Sequence, residues 1–221
     1  MPWLIGVDEA GYGPNLGPFV MSSTACYVPD ELFDSNLWDA LDAIVCRKTD
    51  RDAARTIIDD SKAVYASGKG LTNLEKSVSA LTALVESTTL SSLIAKLSTS
   101  LPELEEEVWY QGTTAIPLEI EVEGLTSSCK RFLNAASEEG ITWGETHSVM
   151  VCPSRFNAIA RKWNSKGGVL SETLGELIQR RREVHDAKES MHFFVDKHGG
   201  RNAYAATLQN SFPEGIVMTE H

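Results

Sequence analysis

Trp3-Leu4-Ile5-Gly6-Val7-Asp8-Glu9-Ala10-Gly11-Tyr12-Gly13-Pro14-Asn15-Leu16-Gly17-Pro18 decides how the chain is read. Trp3 to Val7 is a short apolar run that stops at two carboxylates, the pattern of a buried strand that ends in acids. From Gly11 to Pro18 the glycines and prolines punctuate the chain as a turn, and Phe19 to Val28 follows as a second strand, so the two are expected to form a hairpin. Gly11-x-Gly13-x-x-x-Gly17 is not a dinucleotide-binding loop, because Pro18 and a strand follow where that loop needs a helix.

Two later runs repeat the first: Met191-His192-Phe193-Phe194-Val195-Asp196 and Gly215-Ile216-Val217-Met218-Thr219-Glu220 also pass from apolar residues into an acid. Side by side and parallel, such strands would gather Asp8, Glu9, Asp196 and Glu220 in one crevice, where ligand sites of α/β sheets form. Like charges held that close need cations between them, and carboxylate oxygens suit Mg²⁺ or Mn²⁺. Taken singly, an acid at a strand end is more often just the chain leaving its core for solvent.

Between these strands the pattern is largely helical. Asp30 to Ile58 reads as a helix with Leu32, Leu37, Leu41 and Ile44 apolar, ending in a loop at Asp59-Asp60-Ser61-Lys62. Thr72 and Glu75 are spaced as a capping box for a helix on which Leu74, Val78, Leu81 and Val85 share a face, and Leu90 to Leu97 is a shorter helix. Ile116 to Glu123 alternates with a period of two, which fits an exposed strand, although a solvated charge run is the plainer reading. Trp143 to Cys152 is a strand with Thr146, Ser148, Met150 and Cys152 on one face, closed by Pro153. Val169 to His185 is an amphipathic helix that Ser171 should cap, with Arg180-Arg181-Arg182 as a charged face in its last turns. The sum is an α/β protein with a mixed sheet.

With 31 acidic and 20 basic residues the net charge is -11, which excludes a broad positive field that coats nucleic acid and confines any such contact to local groups. No apolar run approaches the about eighteen residues that cross a bilayer. No basic region precedes Trp3-Leu4-Ile5, so a cytoplasmic protein is expected, in which Cys26, Cys46, Cys129 and Cys152 stay free and mostly buried. His147, His185, His192 and His198 share no metal-ligand spacing. His198-Gly199-Gly200-Arg201 is a loop in which glycines let the backbone approach a phosphate and Arg201 can bind one.

Gly6-Val7-Asp8-Glu9-Ala10-Gly11-Tyr12-Gly13-Pro14, with Gly17-Pro18 entering the second strand, closely resembles the N-terminal signature of the type 2 ribonuclease H (ribonuclease HII) family, and Asp60-Ser61-Lys62 matches a second element of that family in the expected order. The likeness covers roughly residues 1-28, 58-86 and 143-221. It implies a ribonuclease H-like mixed sheet flanked by helices, formed by residues 1-86 and 143-221, with 87-142 as an inserted subdomain. It further implies a divalent-metal-dependent endonuclease that hydrolyses the RNA strand of an RNA-DNA hybrid by a two-metal mechanism. Asp8, Glu9, Asp196 as third acid and Glu220 as fourth would then be catalytic and hold Mg²⁺ or Mn²⁺. Gly11, Tyr12 and Gly13 would read the ribose 2′-hydroxyl, while Ser61, Lys62 and Arg201 would contact the phosphate backbone.

Three departures accompany the likeness. Tyr12 stands where the family has arginine, which removes a charge-assisted contact. The stretch between Lys62 and Asp196 is longer than the family's, and the family continues with helices past the position of Glu220. These favour an alternative class, a ribonuclease H-fold module without catalysis that binds nucleic acid or protein.

Overall fold

A computed structural model of the chain describes residues 2–12, 17–47, 55–65, 70–82, 87–98, 100–185, 189–196, 204–211 and 218. Of the expected strand at 215-220 only Met218, which is exposed, is among them; Glu220 lies outside, as do Gly13 and Arg201. The protein is α/β: a mixed four-stranded sheet flanked by helices. Two compact units are present, one made of Met1–Trp3, Ala25–Lys96 and Gly112–Glu145, the other of Leu4–Thr24, Leu97–Gln111 and Thr146–His221. Among the described residues no helix is long and apolar enough to cross a membrane.

The sheet contains β1 (Trp3–Ala10), β2 (Phe19–Tyr27), β5 (Thr142–Val151) and β6 (Met191–Val195), in the order β5-β2-β1-β6. Most of each strand belongs to the second unit. The hairpin expected from the first two apolar runs is present: the Val28 amide donates to the Pro2 carbonyl at 3.1 Å, which pairs the strands antiparallel with facing residue numbers summing to 30. Along β2, Phe19, Met21, Ser23 and Ala25 are buried while Val20, Ser22 and Thr24 are half-buried, the period of two of a pleated strand.

The remaining helices of the second unit are α6 (Leu101–Glu105), α8 (Pro153–Lys162), α9 (Gly167–Val184) and α10 (Ala205–Ser211). Pro153 does close β5, and it also opens α8 at a first-turn position, where a missing amide costs nothing. Phe156 on α8 meets Phe19 edge to face at 6.2 Å. Helix α9 begins before Ser171, so Ser171 is no cap; its hydroxyl donates to the Gly167 carbonyl from inside the helix. Arg181 is not part of an exposed charged face either, being fully buried. Its Nε donates to Ser23 Oγ at 2.9 Å and its Nη2 to the Ser23 carbonyl, fastening α9 to β2. Leu174, Leu177, Ile178 and Arg181 follow helical spacing, which puts the guanidinium on the apolar face.

In the first unit the expected helix over Asp30 to Ile58 breaks into α1 (Asp30–Phe33), α2 (Leu37–Ala40) and a parallel pair, β3 (Val45–Cys46) with β4 (Thr56–Ile57). The five-residue step from Leu32 to Leu37 loses the helical stripe, Asn36 starts a new helix by accepting the Trp38 amide, and Ile44-Val45 and Thr56-Ile57-Ile58 are β-branched. Ser61 and Lys62 begin α3 (Ser61–Tyr65) instead of closing a loop, with Asp60 Oδ1 accepting the Lys62 and Ala63 amides. Helix α4 (Gly70–Thr82) starts ahead of Thr72, and the expected capping box does not form. The Thr72 hydroxyl donates to Glu119, and Glu75 accepts the amides of Leu118 and Glu119. That fixes residues 118-119 as a turn, so the alternating stretch from Ile116 is not a strand and leads into α7 (Val122–Glu138). Helix α5 (Leu90–Leu97) forms as expected.

All four cysteines are free and buried, and burial pushes the thiols of Cys26 and Cys152 up to about 11. Arg181 carries the sharper consequence. Arg181→Ala should cost about 2–4 kcal/mol, through the cavity it opens and the two Ser23 acceptors it strands. Arg181→Met, which keeps the stem, should cost less. Urea unfolding checks both, and an unchanged midpoint in Arg181→Ala would show that the Ser23 bonds carry no stability.

Candidate functional site

The first strand places its acids by pleating. Ile5 and Val7 are buried, Gly6 and Asp8 exposed, so Asp8 lies on the face opposite the core, while Glu9, half-buried, alternates to the other side. The Asp8 carboxylate accepts the Glu9 amide at 2.8 Å. Antiparallel pairing puts Ser22 of β2 beside Asp8. Ser22 in turn meets Ser148 of β5 hydroxyl to hydroxyl at 2.8 Å, and Thr24 meets Thr146 at 3.2 Å, so β2 and β5 are antiparallel with these residues on one face.

Strand β6 completes the row. The Asp196 amide donates to the Val7 carbonyl at 3.4 Å. Only a parallel β6 then lies along β1 over its whole length, since an antiparallel one would carry Met191 past Ala10, where β1 ends. In a parallel ladder an amide bonded to residue 7 is level with residue 8, so Asp196 stands beside Asp8 and on the same face. Adjacent strands are about 4.8 Å apart. Ser148, Ser22, Asp8 and Asp196 thus form one row across the sheet, buried at Ser148 and exposed at both aspartates.

Asp8 and Asp196 are therefore two like-charged carboxylates held level on neighbouring strands, an oxygen donor pair suited to a hard divalent cation. Among the described residues, no group of three or more His, Cys, Asp or Glu is arranged to hold a metal ion. Phe194, two residues before Asp196 and so on the same face, is 62% exposed beside Gly6, where an added Cβ would meet nothing within 4 Å. The sequence placed Thr146 and Ser148 on one face but not beside Ser22 and Asp8, and it passed over Phe194, whose signal was the two-residue spacing from Asp196.

Gly11 follows β1 with a φ of +80°, and a Cβ there would lie 2.6 Å from the Pro18 carbonyl oxygen. Glycine is required on both counts. Tyr12 is 41% exposed and packs edge to face on Phe19 at 6.2 Å. Ser61 and Lys62 are exposed at the start of α3 in the first unit, whereas Asp8, Glu9, Gly11, Tyr12 and Asp196 belong to the second. Compared with family models, curated proteins and solved structures, the chain matches none.

Gly11→Ala should destabilise the protein by about 1–3 kcal/mol through a strained backbone, whereas Gly6→Ala should cost about 0.5 kcal/mol or less. Chemical denaturation of the two variants makes the comparison, and equal midpoints would contradict the close approach at Gly11.

Proposed function

We propose that this protein is a divalent-metal-dependent endonuclease of the ribonuclease HII kind, built on a ribonuclease H-like sheet, that hydrolyses the RNA strand of RNA-DNA hybrids. The observation that carries the reading is the pairing of β6 with β1, which sets Asp196 level with Asp8 on one exposed face. The resemblance of residues 6-14 and 60-62 to the family supports it from the sequence side.

Asp8 and Asp196 would hold Mg²⁺ or Mn²⁺, with Glu9 and Glu220 as the further acids the resemblance supplies. Bound cations would supply activation of a water and stabilisation of the leaving oxygen in an in-line displacement at phosphorus. The chain's own part is positional. The sheet fixes the two carboxylates at one level, so neither has to be ordered when the substrate arrives. The Gly11 backbone, which lies close against the Pro18 carbonyl, would approach the ribose where a side chain would intrude. Phe194 presents an aromatic face on which a base can stack beside the acids. Residues 87-142 act in this reading as an insertion.

Calorimetric titration with Mn²⁺ tests the pair: Asp8→Asn and Asp196→Asn should each weaken binding at least about tenfold while thermal unfolding stays cooperative. Labelled hybrid should be cut by the wild type in Mn²⁺ and not by either variant. Equal Mn²⁺ affinity in wild type and variants would sink the metal site, and hybrid bound but uncut by the wild type would favour a binding module instead.

A further inference from the structure

Two residues along the strands from Asp196 and Asp8, the exposed face of the sheet carries a second row. The ladder that sets Asp196 level with Asp8 sets Phe194 level with Gly6, and the β1–β2 pairing puts Thr24 on the other side of Gly6. Thr24 meets Thr146 of β5 hydroxyl to hydroxyl at 3.2 Å, so the row reads Thr146, Thr24, Gly6, Phe194, all within the second unit. A Cβ added to Gly6 would meet nothing within 4 Å, which leaves the sheet open down to its backbone beside a phenylalanine that is 62% exposed. Two residues of strand advance about 6.6 Å, so the ring stands within one nucleotide's reach of a phosphate held at the two acids.

A phenylalanine so placed selects among nucleic acids by which bases have a bare face. Inside a continuous duplex, neighbours about 3.4 Å away cover both faces of every base, and a protein ring finds nothing to stack on. Where a strand leaves its partner, the first unpaired base offers a π-face that every base type shares. The chain's charge points the same way. At -11 it supplies no broad positive field to hold the phosphates of a long duplex, whereas stacking on an aromatic ring needs no opposite charge. Gly6 adds room for a flat group, and the paired threonines line its far side with neutral hydroxyls.

We infer that this site takes an RNA strand at the point where it leaves its DNA partner, with the first unpaired base stacked on Phe194 over Gly6 and the adjoining phosphate at Asp8 and Asp196. The place of that phosphate rests on the nuclease reading; the choice of an unpaired base rests on Phe194 and Gly6.

The intact chain, with Ca²⁺ to occupy the acids, is titrated with a labelled RNA-DNA hybrid whose RNA runs several nucleotides past the DNA, and with the same hybrid carrying abasic units in that overhang. Fluorescence anisotropy should show the first bound at least about tenfold tighter. A 2-aminopurine at the first unpaired position should lose fluorescence on binding as it stacks. Phe194→Ala should erase both the preference and the quenching while Mn²⁺ affinity and cooperative unfolding are kept. Gly6→Val, which suits a strand but fills the space, should do the same, and Phe194→Trp should retain both signals. In Mn²⁺ the wild type should cut where the RNA leaves the DNA. Equal affinity for the two hybrids, an unquenched probe, Phe194→Ala binding as the wild type does, or cuts spread through the paired length would overturn the inference, the last while leaving the nuclease reading in place. Binding that depends on Phe194 with no cutting in Mn²⁺ would remove that reading and leave the stacked base standing.

Discussion

One main-chain hydrogen bond, from the Asp196 amide to the Val7 carbonyl, governs what the sheet can do. It sets the register of β6 on β1, and register in a sheet is all or nothing for a side chain. A slip of one residue would send Asp196 to the core face and bring Val195 out beside Asp8. The antiparallel β1–β2 pairing, anchored where Val28 meets Pro2 and pinched where Gly11 meets Pro18, fixes Asp8 in the same way from the other side. The level of each acid is set by its strand. Both are positioned by ladders whose reason to exist is the burial of Ile5, Val7, Phe19 and Met21 on the opposite face.

The core face carries its own polar fixture. A guanidinium withdrawn from water is tolerated only when its donors find acceptors, and Arg181 finds two on Ser23. The bond is directional where the surrounding leucine contacts are not, so it fixes the rotation of α9 about its axis as well as its distance from β2. Arg155 on α8 does related work at lower burial, reaching Glu176 at 2.7 Å and Glu103 at 3.6 Å. Its partial exposure makes those pairs worth little in stability. The buried arginine, not the exposed network, is the electrostatic feature that the second unit's packing relies on.

β1 and β6 were legible as apolar runs that end in acids, β2 as the run that opens after Gly17-Pro18, and β5 as the run that Pro153 closes. The errors share a physical cause: a local signal outbid by a partner distant in sequence. Thr72 and Glu75 have capping-box spacing, but the amides of residues 118 and 119 claim Glu75. Arg181 sits in a run of three arginines that reads as solvated, yet its spacing from Leu174, Leu177 and Ile178 already placed it on the buried face. In the candidate site, the acids Asp8 and Asp196 were legible as strand-end carboxylates, but their being level was not. Levelness depends on strand direction and register, which composition and periodicity leave open. A cavity over Leu125 and Phe132 was illegible altogether, since Arg55, Lys76 and Arg131 in its lining come from three segments that only folding brings together.

The exposure of Asp8 and Asp196 bears on how such a pair survives in a folded chain. Two unit charges about 5 Å apart repel by roughly 1 kcal/mol at the dielectric of water and by about 3 kcal/mol at the effective value near a protein surface. Either figure is within what the burial of one or two side chains on the other face of β1 offsets. The sheet therefore holds the carboxylates together with no cation required for folding, unlike sites whose ligands meet only when metal is bound. In the proposed metal site, a cation between them would relieve a repulsion that packing has already imposed, and its binding would be strengthened accordingly. The same reasoning explains why Ser148 and Ser22, not further acids, fill the row toward its buried end. There the desolvation of a charge would cost more than the hydrophobic face returns, whereas two hydroxyls satisfy each other.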